Sequence, residues 1–197
     1  MFGKLIQRIR MTGLWPTIKY LIFTVLFERL DIHVSVIFEQ TLNHIESHKK
    51  DGYHCDVIQS LDDLTTPVRD ALVEYGGHEM IADFAKSFSQ GQQVALGFSD
   101  GRFGCVCWFQ RQRHGLFDDQ PVHLIWRSFT LPEMRGRKLF PLTMKCACSY
   151  IRRNPDGDFP IVAESSLFNT SSIRGIESAG FGRISKKIEI GRWGRFF

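Results

Sequence analysis

A basic segment of the chain, residues 131–141 (LPEMRGRKLFP), joins an apolar run to an amphipathic one. The apolar run, His123 to Thr130, predicts a strand, and the amphipathic run, Leu139 to Arg152, predicts a helix. The first turn of a helix has unpaired N–H groups and partial positive charge, to which the loop adds the cations Arg135, Arg137 and Lys138. The segment therefore predicts a strand–loop–helix unit that could bind pyrophosphate, although a solvated basic turn has the same composition.

A second segment further along the chain has its own pattern. Ile161-Val-Ala-Glu164 predicts a short strand, and Asn169-Thr-Ser-Ser-Ile-Arg-Gly-Ile-Glu-Ser-Ala-Gly-Phe181 follows it. This segment resembles the closing half of the sequence pattern of the GNAT acyltransferase superfamily. That pattern is a strand, an Asn, a small residue, an Ile, a short helix and then Gly-Phe. Residues 135–140 resemble the acetyl-CoA loop of that family, Arg-Gly-x-Gly-x-Gly/Ala. Both motifs stand in the family's order, and the resemblance covers roughly residues 93 to 190.

The resemblance implies a fold and a cofactor site. The fold would be a mixed α/β sheet with flanking helices and a V-shaped splay between strands 123–130 and 161–164, opening after Thr130. Acetyl-CoA, or another acyl-CoA, would lie in the splay as co-substrate, with no metal. The pantetheine arm would meet backbone groups of the first strand, the loop would hold the pyrophosphate, and the second motif would flank the far side. The residues implied are Phe129, Thr130, Leu131, Arg135, Gly136, Arg137, Lys138, Leu139, Phe140, Asn169 and Ser172.

The sequence departs from the family pattern at three positions. Lys138 stands where the family usually has Gly, and Phe140 where it has Gly or Ala. Glycine lets the backbone approach the pyrophosphate closely, so we expect binding to persist with a changed geometry and with Lys138 contributing charge. Many members place a general-acid Tyr where this chain has Ile176, which cannot donate a proton.

Two residues are candidates for the general base. Some relatives carry a carboxylate near the position of His123, and a histidine can accept a proton near neutral pH. Glu164, at the end of the next predicted strand, is the alternative. Either residue could instead be an ordinary solvent-facing side chain.

The activity implied is direct transfer of an acyl group from acyl-CoA to an amine. The acceptor would be a small molecule, with an amino sugar as first choice. Transfer to proteins or peptides is an alternative, and so is a non-catalytic acyl-CoA-binding adaptor. Nucleic-acid binding is not expected, because the pI of 8.9 is modest and no RNP-like or helix-turn-helix pattern is present.

The distribution of charge and the cysteine content limit the possible partners, metal sites and compartment. The net charge is +4 over 197 residues, and residues 1–30 and 182–197 each carry five cations against one acid, which leaves −4 between them. The two basic ends favour anionic neighbours. The chain has five cysteines and no C-x-x-C motif, which predicts neither a zinc site nor a disulfide framework. We therefore expect the cysteines to be small buried residues of a protein in a reducing cytoplasm.

Residues 1–30 predict a basic amphipathic arm before a single domain of residues 31–197. The apolar run Tyr20 to Phe27 is shorter than the roughly 20 residues that span a bilayer, and no secretory cleavage site follows. The arm could pack on the domain, form a homodimer, or bind an anionic membrane peripherally at the inner face of the cytoplasmic membrane. Together with Val34-Ser-Val-Ile-Phe-Glu39, it resembles GNAT proteins of bacterial surface-polysaccharide pathways.

The other elements follow from periodicity and turn residues. Strands are expected at Val34 to Glu39, Gln93 to Phe98, Cys105 to Gln110 and Ile184 to Ile190, with helices at Leu61 to Val73 and Met80 to Phe88. The Asp-Gly pair at 100–101 predicts a hairpin. Residues 44–54 predict a solvated loop or helix end, and a metal site at His44 and His48 is the less favoured interpretation.

Overall fold

The described part of the chain, in a computed structural model, comprises residues 32–40, 51–155, 157–190 and 193–196. The predicted arm, residues 1–30, lies outside these residues, as do His44 and His48. No helix within the described ranges has the length and apolarity needed to span a membrane.

Eight strands of the described chain form one mixed sheet. They are β1 (Ile32–Gln40), β2 (Tyr53–Ile58), β3 (Gln93–Ser99), β4 (Arg102–Arg113), β5 (Pro121–Thr130), β6 (Ile161–Ser166), β7 (Phe181–Ile190) and β8 (Trp193–Phe196). The order is β2-β3-β4-β5-β6-β1-β7-β8. Only β5 and β6 pair in parallel; the other neighbours are antiparallel. Four helices accompany the sheet: α1 (Thr66–Gly76), α2 (His78–Ser89), α3 (Leu139–Arg152) and α4 (Thr170–Ser178). The predicted mixed α/β fold is confirmed.

The helices cover both faces of the central strands. Successive β4 residues point to opposite faces because side chains alternate along a strand. Trp108 contacts Phe84 of α2 with ring centroids 4.7 Å apart, and its neighbour Phe109 contacts Tyr150 of α3 at 5.8 Å. The α2 face and the α3 face of the sheet are therefore distinct, and each carries part of the core.

The splay between β5 and β6 is present. The two strands pair at only three residue pairs, from His123↔Ile161 to Ile125↔Ala163. Beyond Ala163, β6 pairs with β1 alone, while β5 follows β4. The opening therefore starts after Ile125, several residues before the expected Thr130. A bulge in β5, described below, is the physical reason, because it bends the strand away from β6.

Two strands were missed by the sequence interpretation. Residues 51–54 were expected in a loop or helix end, but Tyr53–Ile58 forms the edge strand β2, antiparallel to β3. Trp193–Phe196 forms β8 against β7. The predicted first strand exists as β1, but it lies in the interior of the sheet, between β6 and β7.

The expectation that no disulfide forms is wrong. Cys55 of β2 and Cys146 of α3 form a disulfide across a sequence separation of 91 residues, with Cα atoms 6.6 Å apart. Gln59 and Tyr150 make a hydrogen bond between the same two segments. Cys105, Cys107 and Cys148 are buried and not disulfide-bonded, as expected for small core residues.

Candidate functional site

A cavity of about 840 Å³ lies where the splay meets the first turns of α3 and α4. This volume is within the range of small-molecule sites. Nine of the eleven predicted cofactor-binding residues line it: Phe129, Thr130, Arg135, Gly136, Lys138, Leu139, Phe140, Asn169 and Ser172. Leu131 and Arg137 do not. Met134, Ser166 and Arg174 add to the wall.

The loop before α3 shapes one wall of the cavity. After a 3₁₀ turn at Pro132–Met134, Gly136 and Lys138 both adopt positive φ, at 79° and 60°. α3 then starts at Leu139, with no side chain capping its first turn. The backbone N–H groups of this turn are not used by a cap, so the cavity wall retains donors suited to an anion.

The cations of the loop have separate surroundings. Arg135 donates from Nε to the carbonyl of Thr130 at 3.3 Å and lines the cavity, as does Lys138. Arg137 instead points to Asp100 in the β3–β4 turn, with an Nη1–Oδ2 distance of 3.4 Å. Both of those side chains are exposed, so the ion pair contributes little to stability. Arg174 of α4 supplies a cation from the opposite wall.

The opposite wall is the start of α4, and its geometry comes from an N-cap. The Asn169 side-chain oxygen accepts a hydrogen bond from the N–H of Ser172 at 3.2 Å. This bond satisfies one orphan donor of the first helical turn. Asn169 therefore has a structural role as well as a place in the cavity wall.

Phe140 fits because α4 carries a glycine opposite it. A Cβ built on Gly175 would overlap the Phe140 ring. Both residues line the cavity. The bulky residue at 140 is thus accommodated by the absence of a side chain at 175, so α3 and α4 can still approach closely.

A bulge in β5 marks the widening of the splay. Trp108 pairs with Trp126 and Val106 pairs with Phe129, so Arg127 and Ser128 both lie opposite Cys107. Arg127 has a φ of 48°, and its guanidinium reaches Ser87 and Asp83 of α2 at 3.1 and 3.4 Å. A bulge leaves one residue outside the regular ladder, so this site offers a backbone donor near the cleft.

The backbone groups of successive β5 residues point alternately toward β4 and toward the cleft. The N–H of Leu131 donates to the carbonyl of Gly104 at 2.8 Å, so it is already used within the sheet. Because hydrogen-bonding sides alternate along an antiparallel strand, Phe129 also faces β4 with its backbone, and Thr130 faces the cleft. The Phe129 side chain stacks on Tyr75 of α1, with centroids 5.0 Å apart.

The two candidate bases lie in different places. His123 begins the paired part of β5, seven residues or about 23 Å along the strand from Thr130. Its N–H donates to the carbonyl of Pro160, and its ring lies 6.3 Å from that of Phe159. The structure therefore does not bring His123 to the cavity.

Glu164 lies at the vertex of the splay, one residue beyond the last β5–β6 pair, and is itself not among the residues that line the cavity. Ser166, two residues along the same face of β6, lines the cavity. The Glu164 carboxylate oxygen Oε1 lies 3.1 Å from His114 Nε2 and 4.0 Å from Lys187 Nζ. Lys187 belongs to β7, and Lys186, its neighbour, points to the opposite face.

Sequence reasoning missed His114. It lies in a polar turn between β4 and β5, where a single histidine carries no periodic signal, and it meets a residue 50 positions away. Nothing in the sequence pattern connects the two residues.

Two of the three buried thiols, Cys107 and Cys148, are not poised as nucleophiles. Cys105 differs from them: burial alone would raise its pKa, but hydrogen bonds from Cys107 and Thr130 lower it below its ordinary value. Desolvation raises the pKa of Cys107 well above its ordinary value, with a further increase from Cys105. Burial raises the pKa of Cys148 to about 12. Only the thiolate is a strong nucleophile, so both groups remain inert thiols at neutral pH.

Several solved structures that share the fold are described as GNAT-family proteins. A protein assigned to that family from Novosphingobium aromaticivorans superposes with a TM-score of 0.52 at 18% identity, covering 80% of this chain and 62% of that one. A GNAT-family acetyltransferase from Colwellia psychrerythraea gives 0.50 at 10% identity, covering 79% and 54%. A tandem GNAT protein of the clavulanic acid biosynthesis pathway gives 0.52 at 13% identity, covering 83% and 55%.

The chain thus spans between 54% and 62% of the length of these three structures. No protein-family model and no curated protein sequence matches the chain. At these identities the likeness concerns the fold, and the fold of the chain is that of GNAT acetyltransferases.

Proposed function

We propose that the chain is an acyl-CoA-dependent N-acyltransferase, with acetyl-CoA as the first co-substrate to test. One observation carries the proposal: the cavity at the splay gathers Arg135, Lys138 and Arg174 around the uncapped start of α3. Cations and helical N–H groups in one cavity suit a pyrophosphate. The cleft between β5 and β6 continues from that cavity and suits a narrow, extended chain such as pantetheine.

Bound acyl-CoA supplies an activated acyl thioester, and the residues of the chain position and deprotonate the acceptor. Glu164 at the splay vertex is the proposed general base, in preference to the distant His123. Its carboxylate takes a proton from the acceptor ammonium, which frees the nitrogen lone pair for attack. The acyl carbon would then exchange its bond to sulfur for a bond to nitrogen; the nitrogen would lose its second proton, which water can carry to the departing sulfur, so that CoA leaves as the thiol.

The bulge of β5 is the proposed source of electrostatic stabilisation. Negative charge builds on the carbonyl oxygen during transfer, and a preorganised backbone N–H at Arg127–Ser128 would stabilise it. Ile176 is 2% exposed and apolar, so it has no part in proton transfer. Cys107 and Cys148 are inert and Cys105 is fully buried, which favours direct transfer over an acyl-cysteine intermediate.

For the acceptor, we propose an amine on a small molecule, with an amino sugar as the first class to test. The support is the resemblance of residues 1–39 to proteins of surface-polysaccharide pathways. Such a substrate would suit a protein whose basic arm, residues 1–30, contacts an anionic membrane or a second copy of the chain. Proteins and peptides are the alternative acceptors.

Two measurements test the proposal in sequence. Calorimetric titration with acetyl-CoA should give saturable binding to the full chain. A screen for CoA release should then include amino sugars, nucleotide-linked amino sugars, amino acids and peptides. Release with amino sugars supports the full proposal, and release with peptides alone would replace the acceptor class. Binding without release from any acceptor would favour a non-catalytic adaptor, and no binding would contradict the proposal.

A further inference from the structure

We propose that His114 is a positioning residue that orients the Glu164 carboxylate at the splay vertex. The inference rests on the proposed function, since it names the residue that holds the proposed base. Neither residue lines the cavity, and the contact of His114 is with the Glu164 side chain, so His114 would act on the reaction through Glu164. The residue lies in the turn between β4 and β5, far from both sequence motifs.

The contact between the two side chains is direct and shielded. His114 Nε2 lies 3.1 Å from Glu164 Oε1. The histidine side chain is 5% exposed and the glutamate side chain is 22% exposed. A hydrogen bond to a carboxylate is stronger when water is excluded from it, so this contact can hold the carboxylate in one orientation.

The direction of the hydrogen bond follows from the other ring nitrogen. The backbone N–H of Leu116 donates to His114 Nδ1 at 3.3 Å, so Nδ1 is the acceptor nitrogen. In a neutral imidazole the proton then lies on Nε2, which donates it to Glu164. The tautomer assigned by the turn is therefore the one that can orient the carboxylate.

The turn itself holds the imidazole in place. The N–H of Phe117 donates to the carbonyl of His114 at 2.9 Å, and the N–H of Gln120 donates to the carbonyl of Phe117 at 2.8 Å. The Phe117 ring meets the imidazole edge to face, with centroids 5.7 Å apart. A positioning residue needs a fixed rotamer of its own, and these contacts provide it.

Lys187 completes the surroundings of the carboxylate from β7. Its Nζ lies 4.0 Å from the same oxygen, Oε1, and its side chain is 18% exposed. His114 and Lys187 thus both contact the same carboxylate oxygen, Oε1.

The kinetic test uses substitutions that keep or remove the Nε2 donor. H114F keeps a ring against Phe117 but has no donor, and H114Q places an amide N–H near the Nε2 position. We expect H114F to lower kcat roughly 10- to 100-fold with the KM for acyl-CoA unchanged, and H114Q to restore kcat to within about fivefold of wild type. H114N, whose amide is too short to reach Glu164, should resemble H114F.

A matched control and a double variant separate positioning from folding. His54 and Asp56 form another histidine–carboxylate pair, exposed on β2, with 2.7 Å between Nε2 and Oδ1, so H54F should leave kcat unchanged. The E164Q/H114F double variant should be no slower than E164Q alone, because residues acting as one unit are non-additive. Wild-type kcat in H114F, or additive losses in the double variant, would overturn the proposal.

A spectroscopic arm is independent of turnover. In ¹⁵N-labelled full chain, the imidazole resonances of His114 should show a proton on Nε2, and E164Q should shift the Nε2–H resonance. A proton on Nδ1, or no response to E164Q, would overturn the pairing even in an active enzyme. If wild type turns over no acceptor, the proposed function fails, while this measurement still decides whether His114 holds Glu164.

Discussion

At the scale of single residues, Lys138 combines a backbone conformation typical of glycine with a charged side chain. Its φ of 60° is the left-handed conformation that glycine favours, so the backbone path typical of glycine is retained. Its ammonium group lies on the cavity wall. The sequence alone predicted the added charge. It did not predict the glycine-like backbone conformation, because no sequence pattern indicates a positive φ at a lysine.

Substitution of Lys138 separates the charge from the backbone. K138A removes the charge and keeps the strained φ, whereas K138G removes both. We expect K138G to be more stable than K138A by about 1 kcal/mol, because a left-handed conformation costs a residue with a Cβ about that much. Urea unfolding measures the difference. Acetyl-CoA should bind the two variants equally weakly, and tighter binding by K138G would show that the backbone matters more than the charge.

The two arginines of the loop should differ in their effect on binding. R135A removes a cation from the cavity wall, so we expect about tenfold weaker binding of acetyl-CoA at low salt. R137A is the control, because Arg137 points to Asp100, and its affinity should stay within about twofold. The effect of R135A should shrink in 1 M salt, where charges are screened within about 3 Å. Equal losses in both variants would contradict this placement.

At the scale of secondary-structure elements, α3 was predicted well and β2 was not. The bounds Leu139–Arg152 match the amphipathic run, because the core-facing residues recur at helical spacing. In β2, polar His54 and Asp56 alternate with half-buried neighbours, which is the pattern of a strand covered on one face. The polar residues were instead interpreted as a loop.

The contact between α3 and α4 can be tested by substitution. G175A adds a methyl group where the Phe140 ring lies, so the ring or the helix must shift. We expect a loss of about 1–3 kcal/mol in the free energy of unfolding, together with weaker acetyl-CoA binding, because overpacking strains the wall. F140A should relieve the clash, so the double variant F140A/G175A should be more stable than the sum of the two single changes predicts. Additive losses would show that the two positions are not coupled.

The disulfide bond between β2 and α3 gives a further prediction about stability. Cysteine count and spacing did not predict it, because the partners are 91 residues apart and the number of cysteines is odd. We expect the C55S/C146S variant to lose about 2–4 kcal/mol in the free energy of unfolding, because the bond closes a long loop in the unfolded chain. Thiol titration of denatured, unreduced wild type should find three thiols rather than five. Five would contradict the bond.

At the scale of the whole molecule, two short motifs sufficed to predict the fold. The contacts around the proposed base could be found only from the three-dimensional structure. The motifs at 131–141 and 169–181 lie on either side of one cavity, because the parallel β5–β6 pair brings both helix starts to the same end of the sheet. Glu164 was predicted as one of two bases, but its partners come from the β4–β5 turn and from β7. Contacts of that kind depend on strand order, which the sequence pattern does not specify.

The interior position of β1 is the clearest example. A strand near the start of the chain lies between β6 and β7, opposite Glu164 at Ile37, so residues before β5 complete the sheet that holds the proposed base. Local pattern predicted the strand and could not predict its neighbours, since pairing partners more than a hundred residues away leave no local signal.

The most direct test of the account is the transfer of a deuterated acetyl group, followed by mass spectrometry. Full chain, deuterated acetyl-CoA and the amine panel are incubated together, with E164Q as the matched variant that keeps the cavity intact. We predict that wild type adds one deuterated acetyl group to the amine nitrogen of an acceptor, with free CoA as the co-product. E164Q should bind acetyl-CoA with unchanged affinity and form product at least about 100-fold more slowly. The account would be contradicted if acetyl-CoA binds but no amine gains a deuterated acetyl group, or if wild type and E164Q form product at equal rates.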